Sequence, residues 1–124
     1  MTGMLVLARR NLKFLNREME YLNEGVNEDD LVNACFHTHM IIELALKHLL
    51  EVNGLPSNFT HQLKTLIKMC KGYELPIPEE VTTHYIEMKD WDTETLYNIH
   101  FEGDFEIVQA LHPVLNKWLK ELEK

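Results

Sequence analysis

The sequence has little of what several common classes of protein require. It contains 2 cysteines and 5 glycines in 124 residues. Neither Cys35 nor Cys70 belongs to a Cys-x-x-Cys pair, so a disulfide framework and a thiol redox motif have no support. There is no Gly-rich phosphate loop and no Gly-flanked nucleophile elbow. No apolar run approaches the roughly 20 residues of a membrane-spanning helix. We therefore expect a cytoplasmic protein with two buried free thiols.

Arginine is also scarce, and it is confined to the start of the chain. The three arginines are Arg9, Arg10 and Arg17. Residues 1–71 carry eight basic and eight acidic side chains, whereas residues 72–124 carry four lysines and twelve acidic side chains, and the net charge is −8. This distribution argues against broad nucleic-acid coating, which needs clustered Lys or Arg. A local basic patch formed by the arginines and Lys13 stays open, as does a simple solvated helix face.

Apolar residues recur at helical spacing through most of the chain. We predict a first helix over residues 4–22, a central helix over 31–53 with Asn27 as a possible N-cap, and Gly54 as its left-handed C-cap. A third helix is expected through about residue 70 with its N-cap among residues 57–60. A fourth is expected from about Pro78, with a possible break in the polar stretch from Lys89 to Thr95, after which Leu96 and Tyr97 are expected to return to the core. A last helix is expected over residues 104–122. The pattern predicts an all-α, up-and-down bundle of four to five helices in one domain spanning residues 1–124.

The central helix is apolar on most sides, which predicts a position in the middle of the bundle. Its polar residues are therefore the informative ones. His37, Glu43 and Lys47 lie on the less apolar side, and His39 lies at the edge of the apolar arc. The side chains that exceed what one bundle needs to bury are candidates for a subunit interface: Phe36, Met40, Leu44, Trp91, Phe101 and Trp118.

One stretch of the chain resembles the HEPN family. The resemblance rests on Phe36-His37, then Glu43-Leu-Ala-Leu-Lys47 and Leu49-Leu50, then Asn53-Gly54, and finally His61-x-Leu63 with Leu66. HEPN domains are small helical bundles found beside nucleotidyltransferases and in toxin–antitoxin pairs. The resemblance implies a HEPN-like bundle of the nucleotidyltransferase substrate-binding-subunit type and a two-fold homodimer.

The resemblance also implies nucleotide or RNA binding in the groove beside the second helix. The residues expected to bind the ligand are His37, Glu43, Lys47, His61, Lys64 and His100. Lys47 would contact phosphate, and His61 would lie near the start of the third helix, where anions bind readily. The alternative is a Glu43–Lys47 ion pair on the helix surface, worth roughly 0.3–0.5 kcal/mol, with His61 as a cap.

Catalytic HEPN ribonucleases carry an Arg followed four to six residues later by a His, and this sequence departs from that pattern. No Arg follows Arg17, and the family's Arg-Tyr-Pro-Asp is replaced by His100-Phe101-Glu102-Gly103-Asp104. A histidine alone does not replace a permanent cation. We therefore expect an inactive or differently used site and assign no catalytic residue.

Metal binding has limited support in the sequence. Of the four-residue steps that involve histidine, only His39–Glu43 places two ligand types on one helix face. A zinc site formed by His37, His84 and His112 on separate helices is conceivable. Surface or core-edge histidines explain these positions more simply, and we predict no metal site and no cofactor.

We predict an accessory subunit that binds nucleotide or RNA, acts with a separate nucleotidyltransferase and is not itself catalytic. The alternatives are a ribonuclease toxin of a toxin–antitoxin pair with a degenerate site, and a helical module that only mediates protein association. No membrane partner is expected.

Overall fold

The computed structural model describes residues 2–124, apart from the side chains of Thr93, Glu94 and Leu96. Over these residues the chain forms helices and no strand, which confirms the all-α prediction. The helices are α1 (Gly3–Glu24), α2 (Glu28–Val52), α3 (Leu63–Gly72), α4 (Glu79–His84), α5 (Trp91–Tyr97) and α6 (Phe105–Leu122). No helix of the described chain is long and apolar enough to cross a membrane.

Helix α2 lies at the centre of the bundle and contacts α1, α3, α5 and α6. All residues from 41 to 50 are buried, so this part of the helix is covered on every side. The prediction of a central helix surrounded by neighbours is confirmed. Its polar side chains within this segment are consequently forced into the interior, where each needs a partner.

Local capping explains why the long helices begin where the sequence predicts. The Asn27 side chain accepts a hydrogen bond from the Asp30 backbone N–H at 2.9 Å, and Glu28 follows directly at the positive end of the helix dipole. Asp104 does the same for Ile107 at the start of α6. These bonds satisfy N–H groups that have no partner within a helix.

The end of α2 is a Schellman motif. Gly54 has φ of 71°, and its N–H bonds to the Glu51 carbonyl at 3.1 Å, while the Leu55 N–H bonds to the Leu50 carbonyl at 2.9 Å. Leu55 is half-buried against the core. The predicted left-handed cap at Gly54 is therefore confirmed, and it turns the chain towards α3.

The same motif ends α3, with a non-glycine residue at the left-handed position. Glu74 has φ of 58°, and the Leu75 N–H bonds to the Cys70 carbonyl at 2.9 Å. A residue with a Cβ atom adopts this left-handed conformation at a cost in free energy, whereas glycine adopts it without that cost.

Two predicted helix boundaries were wrong. Helix α3 starts at Leu63 rather than after a cap among residues 57–60. The Thr60 hydroxyl accepts a hydrogen bond from the Gln62 N–H, which precedes the helix, and His61 is held by Glu43. The fourth helix is broken into two short helices, but the break falls at residues 85–90 and not at residues 89–95. There the N–H of Met88 bonds to the Tyr85 carbonyl in a tighter three-residue turn.

Predictions about the large apolar side chains also need correction. Trp91 and Trp118 are 4% and 3% exposed, so they belong to the chain's own core and not to a subunit interface. Tyr97, expected in the core, is 82% exposed. It lies six residues after Trp91 on α5, which places it about 120° away from the buried face. Leu96 was also expected in the core, but its side chain lies outside the described residues.

We predict that Glu74→Gly raises the free energy of unfolding by about 0.5–1 kcal/mol, because glycine removes the strain at positive φ. Urea unfolding measures the change. Gly54→Ala is the matched control at the equivalent position of α2 and should lower stability by about 1 kcal/mol. A loss of stability in Glu74→Gly would contradict this account.

Candidate functional site

Three side chains spaced four residues apart form a buried polar stripe on α2: His39, Glu43 and Lys47. Their exposed fractions are 1%, 2% and 2%. A four-residue spacing places them one above the other on the same face of the helix. The segment before α3 covers one end of this stripe, and α5 packs against the same helix.

The Glu43 carboxylate is the centre of the stripe. Its Oε2 accepts hydrogen bonds from Lys47 Nζ at 3.0 Å and from His61 Nδ1 at 2.9 Å. Since a carboxylate only accepts hydrogen bonds, Nδ1 of His61 carries the hydrogen and donates a hydrogen bond to Glu43. The 3.4 Å separation between Lys47 Nζ and the same nitrogen is then a close approach between two donors.

Burial of the Glu43–Lys47 pair corrects the surface interpretation. An exposed pair at this spacing contributes a few tenths of a kcal/mol, and its loss is almost neutral. A buried pair behaves differently, because removing one partner leaves an uncompensated charge in the interior. The pair is therefore part of the structural centre of the domain, and Lys47 is not an exposed cation free to meet phosphate.

His61 links the buried stripe to the surface. Its side chain is 75% exposed although its Nδ1 reaches Glu43. Its ring therefore forms part of the wall of a groove of about 490 Å³. The groove is lined by the beginning of α3, by the turn between α4 and α5, and by the start of α5: His61, Gln62, Leu63, Lys64, Tyr85, Ile86, Lys89, Asp90 and Asp92.

The groove has the composition of a small-molecule site. Lys64 and Lys89 are exposed cations on different elements of the lining, Asp90 and Asp92 are its carboxylates, and Tyr85 and Ile86 supply apolar surface. The first turn of α3 also faces it, and the Gln62 side chain makes no capping bond to that turn. Uncapped N–H groups at a helix start attract anions.

A larger cavity of about 660 Å³ lies between the 76–80 segment and α6. Its charged lining is Glu79, Glu80, Glu121 and Lys117. Three carboxylates against one ammonium disfavour an anionic ligand, so size alone does not identify the site.

The structure brings together four of the six predicted ligand-binding residues: Glu43, Lys47, His61 and Lys64. It separates the other two. His37 donates a hydrogen bond from Nδ1 to Glu18 of α1 at 2.8 Å and stacks on Phe14. His100 is exposed in the connection between α5 and α6 and does not line the groove.

Two residues close to Glu43, His39 of the stripe and Asp92 of α5, were not predicted as site residues. His39 lies beside Glu43, with Nδ1 3.9 Å from Oε1, and its four-residue spacing from Glu43 was the available signal. Asp92 comes from α5, and no sequence pattern links it to α2. Burial lowers the pKa of His39 below its usual value, although Asp92 and Glu43 act in the opposite direction. Burial therefore favours the neutral form of this imidazole.

The histidines proposed for a zinc site do not form a ligand group within the described part of the chain. His112 Nε2 donates to Asn16 Oδ1 at 2.6 Å, which ties α6 to α1, and His37 is engaged by Glu18. The two cysteines are buried free thiols, as predicted. Burial raises the pKa of Cys35 to about 12, so its thiol is inert.

Comparison with known proteins identifies the family to which this fold belongs. The family model described as HEPN domain matches residues 7–123. The chain belongs to the HEPN family. A search of curated proteins and a search of solved structures each return no match. The match to HEPN covers nearly all of the fold, including α2 and the groove. HEPN domains are associated with nucleotides and RNA.

We predict that Lys47→Met lowers the free energy of unfolding by about 3 kcal/mol, because methionine keeps the volume but leaves the Glu43 charge buried. Urea unfolding measures the loss. Adding Glu43→Gln should recover at least about 1 kcal/mol, since the double variant buries no unpaired charge.

Lys64→Ala is the control for loss of a lysine in the same region and should change stability by less than about 0.5 kcal/mol. A Lys47→Met variant as stable as the original protein would show that Glu43 is not held as a buried anion.

Proposed function

We propose that this HEPN domain binds a nucleotide or an RNA end in the groove between the start of α3 and the α4–α5 turn, as an accessory subunit of a separate nucleotidyltransferase. The observation that carries the proposal is the convergence of Lys64, Lys89, His61 and the uncapped first turn of α3 on one groove. A volume of about 490 Å³ lies within the range of small-molecule sites.

The chemistry of the groove assigns a role to each group. Lys64, Lys89 and the N–H groups of α3 would bind phosphate, since they provide positive charge and hydrogen-bond donors together. Tyr85 offers a ring on which a base can stack. Asp90 is exposed in the same groove and would accept a hydrogen bond from a ribose hydroxyl or a base amino group.

The buried stripe has a supporting role in this proposal. Lys47 and Glu43 hold His61 through the bond to Glu43 Oε2, and His61 in turn forms part of the groove wall. The two residues therefore position the site without contacting the ligand directly. This differs from the sequence-based expectation that Lys47 itself meets phosphate.

The nucleotidyltransferase partner is suggested by the family and not by a surface of this chain. No specific observation favours either alternative function, the ribonuclease toxin or the module that only mediates protein association. The arginines lie on α1, where Arg9 pairs with Glu123, directly after α6, at 2.9 Å, and His100 lies in a separate connection near the start of α6. Absence of RNA cleavage therefore stays a prediction.

We also propose a homodimer, now through α1. Leu7, Phe14 and Tyr21 are 43%, 48% and 54% exposed, and their seven-residue spacing aligns them along one face. Phe14 stacks on His37 of α2 with ring centroids 5.3 Å apart, so this apolar row on α1 is in contact with the neighbouring helix. An aligned row of exposed apolar side chains is typical of a helix interface.

For the groove, we predict that the double variant Lys64→Ala/Lys89→Ala loses the rise in melting temperature that ATP, or a short single-stranded RNA, produces in the original protein. Two phosphate contacts are removed, so affinity should fall at least about 10-fold. Thermal melting at low salt with increasing ligand measures the effect, and added salt should weaken binding of the original protein.

Lys68→Ala is the matched control, because Lys68 is an exposed lysine of α3 that does not line the groove. An identical ligand response in the double variant and in Lys68→Ala would exclude this groove. A lack of response to every nucleotide and RNA tested in the original protein would exclude the binding function.

For assembly, sedimentation at micromolar concentration should give twice the chain mass of 14.6 kDa. Phe14→Glu should give the monomer, because it places a charge in the apolar row on α1. Tyr73→Glu changes an aromatic that is 57% exposed elsewhere and should leave the dimer intact. A monomer for the original protein, or a dimer for Phe14→Glu, would contradict this interface.

A further inference from the structure

Two polar atoms of the stripe have no hydrogen-bond partner within the described protein. They are His39 Nδ1 and Glu43 Oε1, both fully buried, and they lie 3.9 Å apart. Leaving one such atom unsatisfied costs about 1–3 kcal/mol. Two of them side by side indicate a place where a single additional group would satisfy both.

Asp92 supplies a third ligand atom at the same place. One atom from each of His39, Glu43 and Asp92 lies within 4.8 Å of the other two. His39 and Glu43 share a face of α2, while Asp92 comes from α5, so the three side chains approach the point from two helices. An imidazole nitrogen with two carboxylate oxygens is a donor set that zinc and manganese accept.

We propose that His39, Glu43 and Asp92 bind one divalent transition-metal ion, Zn²⁺ or Mn²⁺, in the interior between α2 and α5. A tetrahedral zinc ion with bonds of about 2.0–2.1 Å spaces its ligands by roughly 3.4 Å. The distance of 3.9 Å between His39 Nδ1 and Glu43 Oε1, and the distances below 4.8 Å to Asp92, would shorten to that value on binding the ion.

The surroundings of Glu43 fit a metal ligand. Its Oε2 is already held by Lys47 and His61, which leaves Oε1 for the ion. Ligating carboxylates in proteins are usually hydrogen-bonded through their other oxygen in this way. The charge also fits, because the two carboxylates outnumber the single Lys47 ammonium.

Such an ion would connect α5 to α2. Helix α5 is only seven residues long, and an isolated helix of that length is unstable in water. The ion would therefore stabilise the wall of the groove that carries Asp92. The ion and the proposed nucleotide would contact different groups: the ion would bind His39, Glu43 and Asp92, whereas the nucleotide phosphates would bind the groove lysines and the N–H groups of α3.

Calorimetric titration of the metal-free full chain with Zn²⁺ and with Mn²⁺ tests the proposal. We expect one ion per chain and a metal-dependent rise in melting temperature. Asp92→Asn and His39→Gln should each weaken binding at least about 10-fold. Co²⁺ should give visible absorption bands that both variants lose.

Two controls separate this site from adventitious binding by surface groups. Asp90→Asn changes an exposed carboxylate of the same groove, and His100→Gln changes an exposed histidine; both should bind metal as the original protein does. If His39→Gln fails to fold, Asp92→Asn decides the question alone, because Asp92 is only half-buried.

Undiminished affinity in Asp92→Asn would overturn the proposal, as would the absence of saturable binding of either ion. Neither result would bear on the groove, because the Lys64→Ala/Lys89→Ala experiment uses a nucleotide or RNA and no transition metal.

Discussion

Burial of the Glu43 carboxylate is the constraint on which the rest of this domain depends. A carboxylate that is 2% exposed is tolerated only with partners, and Lys47 and His61 provide them through Oε2. The bond to His61 reaches across 18 residues and holds the segment before α3 against α2. The position of that segment then determines where α3 starts and where the groove opens.

The central position of α2 explains why such a network exists. A helix covered on all sides cannot send a polar side chain to solvent, so His39, Glu43 and Lys47 must satisfy one another or their neighbours. Helices α3 and α5 both pack on α2. The groove is lined by the beginning of α3 and the start of α5, and its residues His61 and Asp92 also approach the buried stripe. The proposed binding function and the stability of the fold would therefore depend on some of the same side chains.

Sequence reasoning was most accurate where structure is determined locally. Asn27 was identifiable as a cap because a cap bonds to N–H groups only a few residues away. Gly54 was identifiable because only glycine adopts a left-handed conformation without strain. The start of α3 was misplaced for the opposite reason. The candidate caps at residues 57–60 are present, but His61 is held by Glu43 and the chain enters the helix two residues later.

The sequence by itself determined the helical class, the approximate extents of α1 and α6, the Asn27 cap and Gly54 end of α2, the buried character of α2 and the family. These follow from periodicity, capping and motif, which are properties of neighbouring residues. Only the tertiary structure decided that Glu43 and Lys47 are buried, that His61 bonds to them, and that Asp92 approaches His39. Spacing along one helix shows which residues share a face, but what covers that face depends on the packing of distant segments. The chemistry of the site is therefore a product of how α3 and α5 pack on α2.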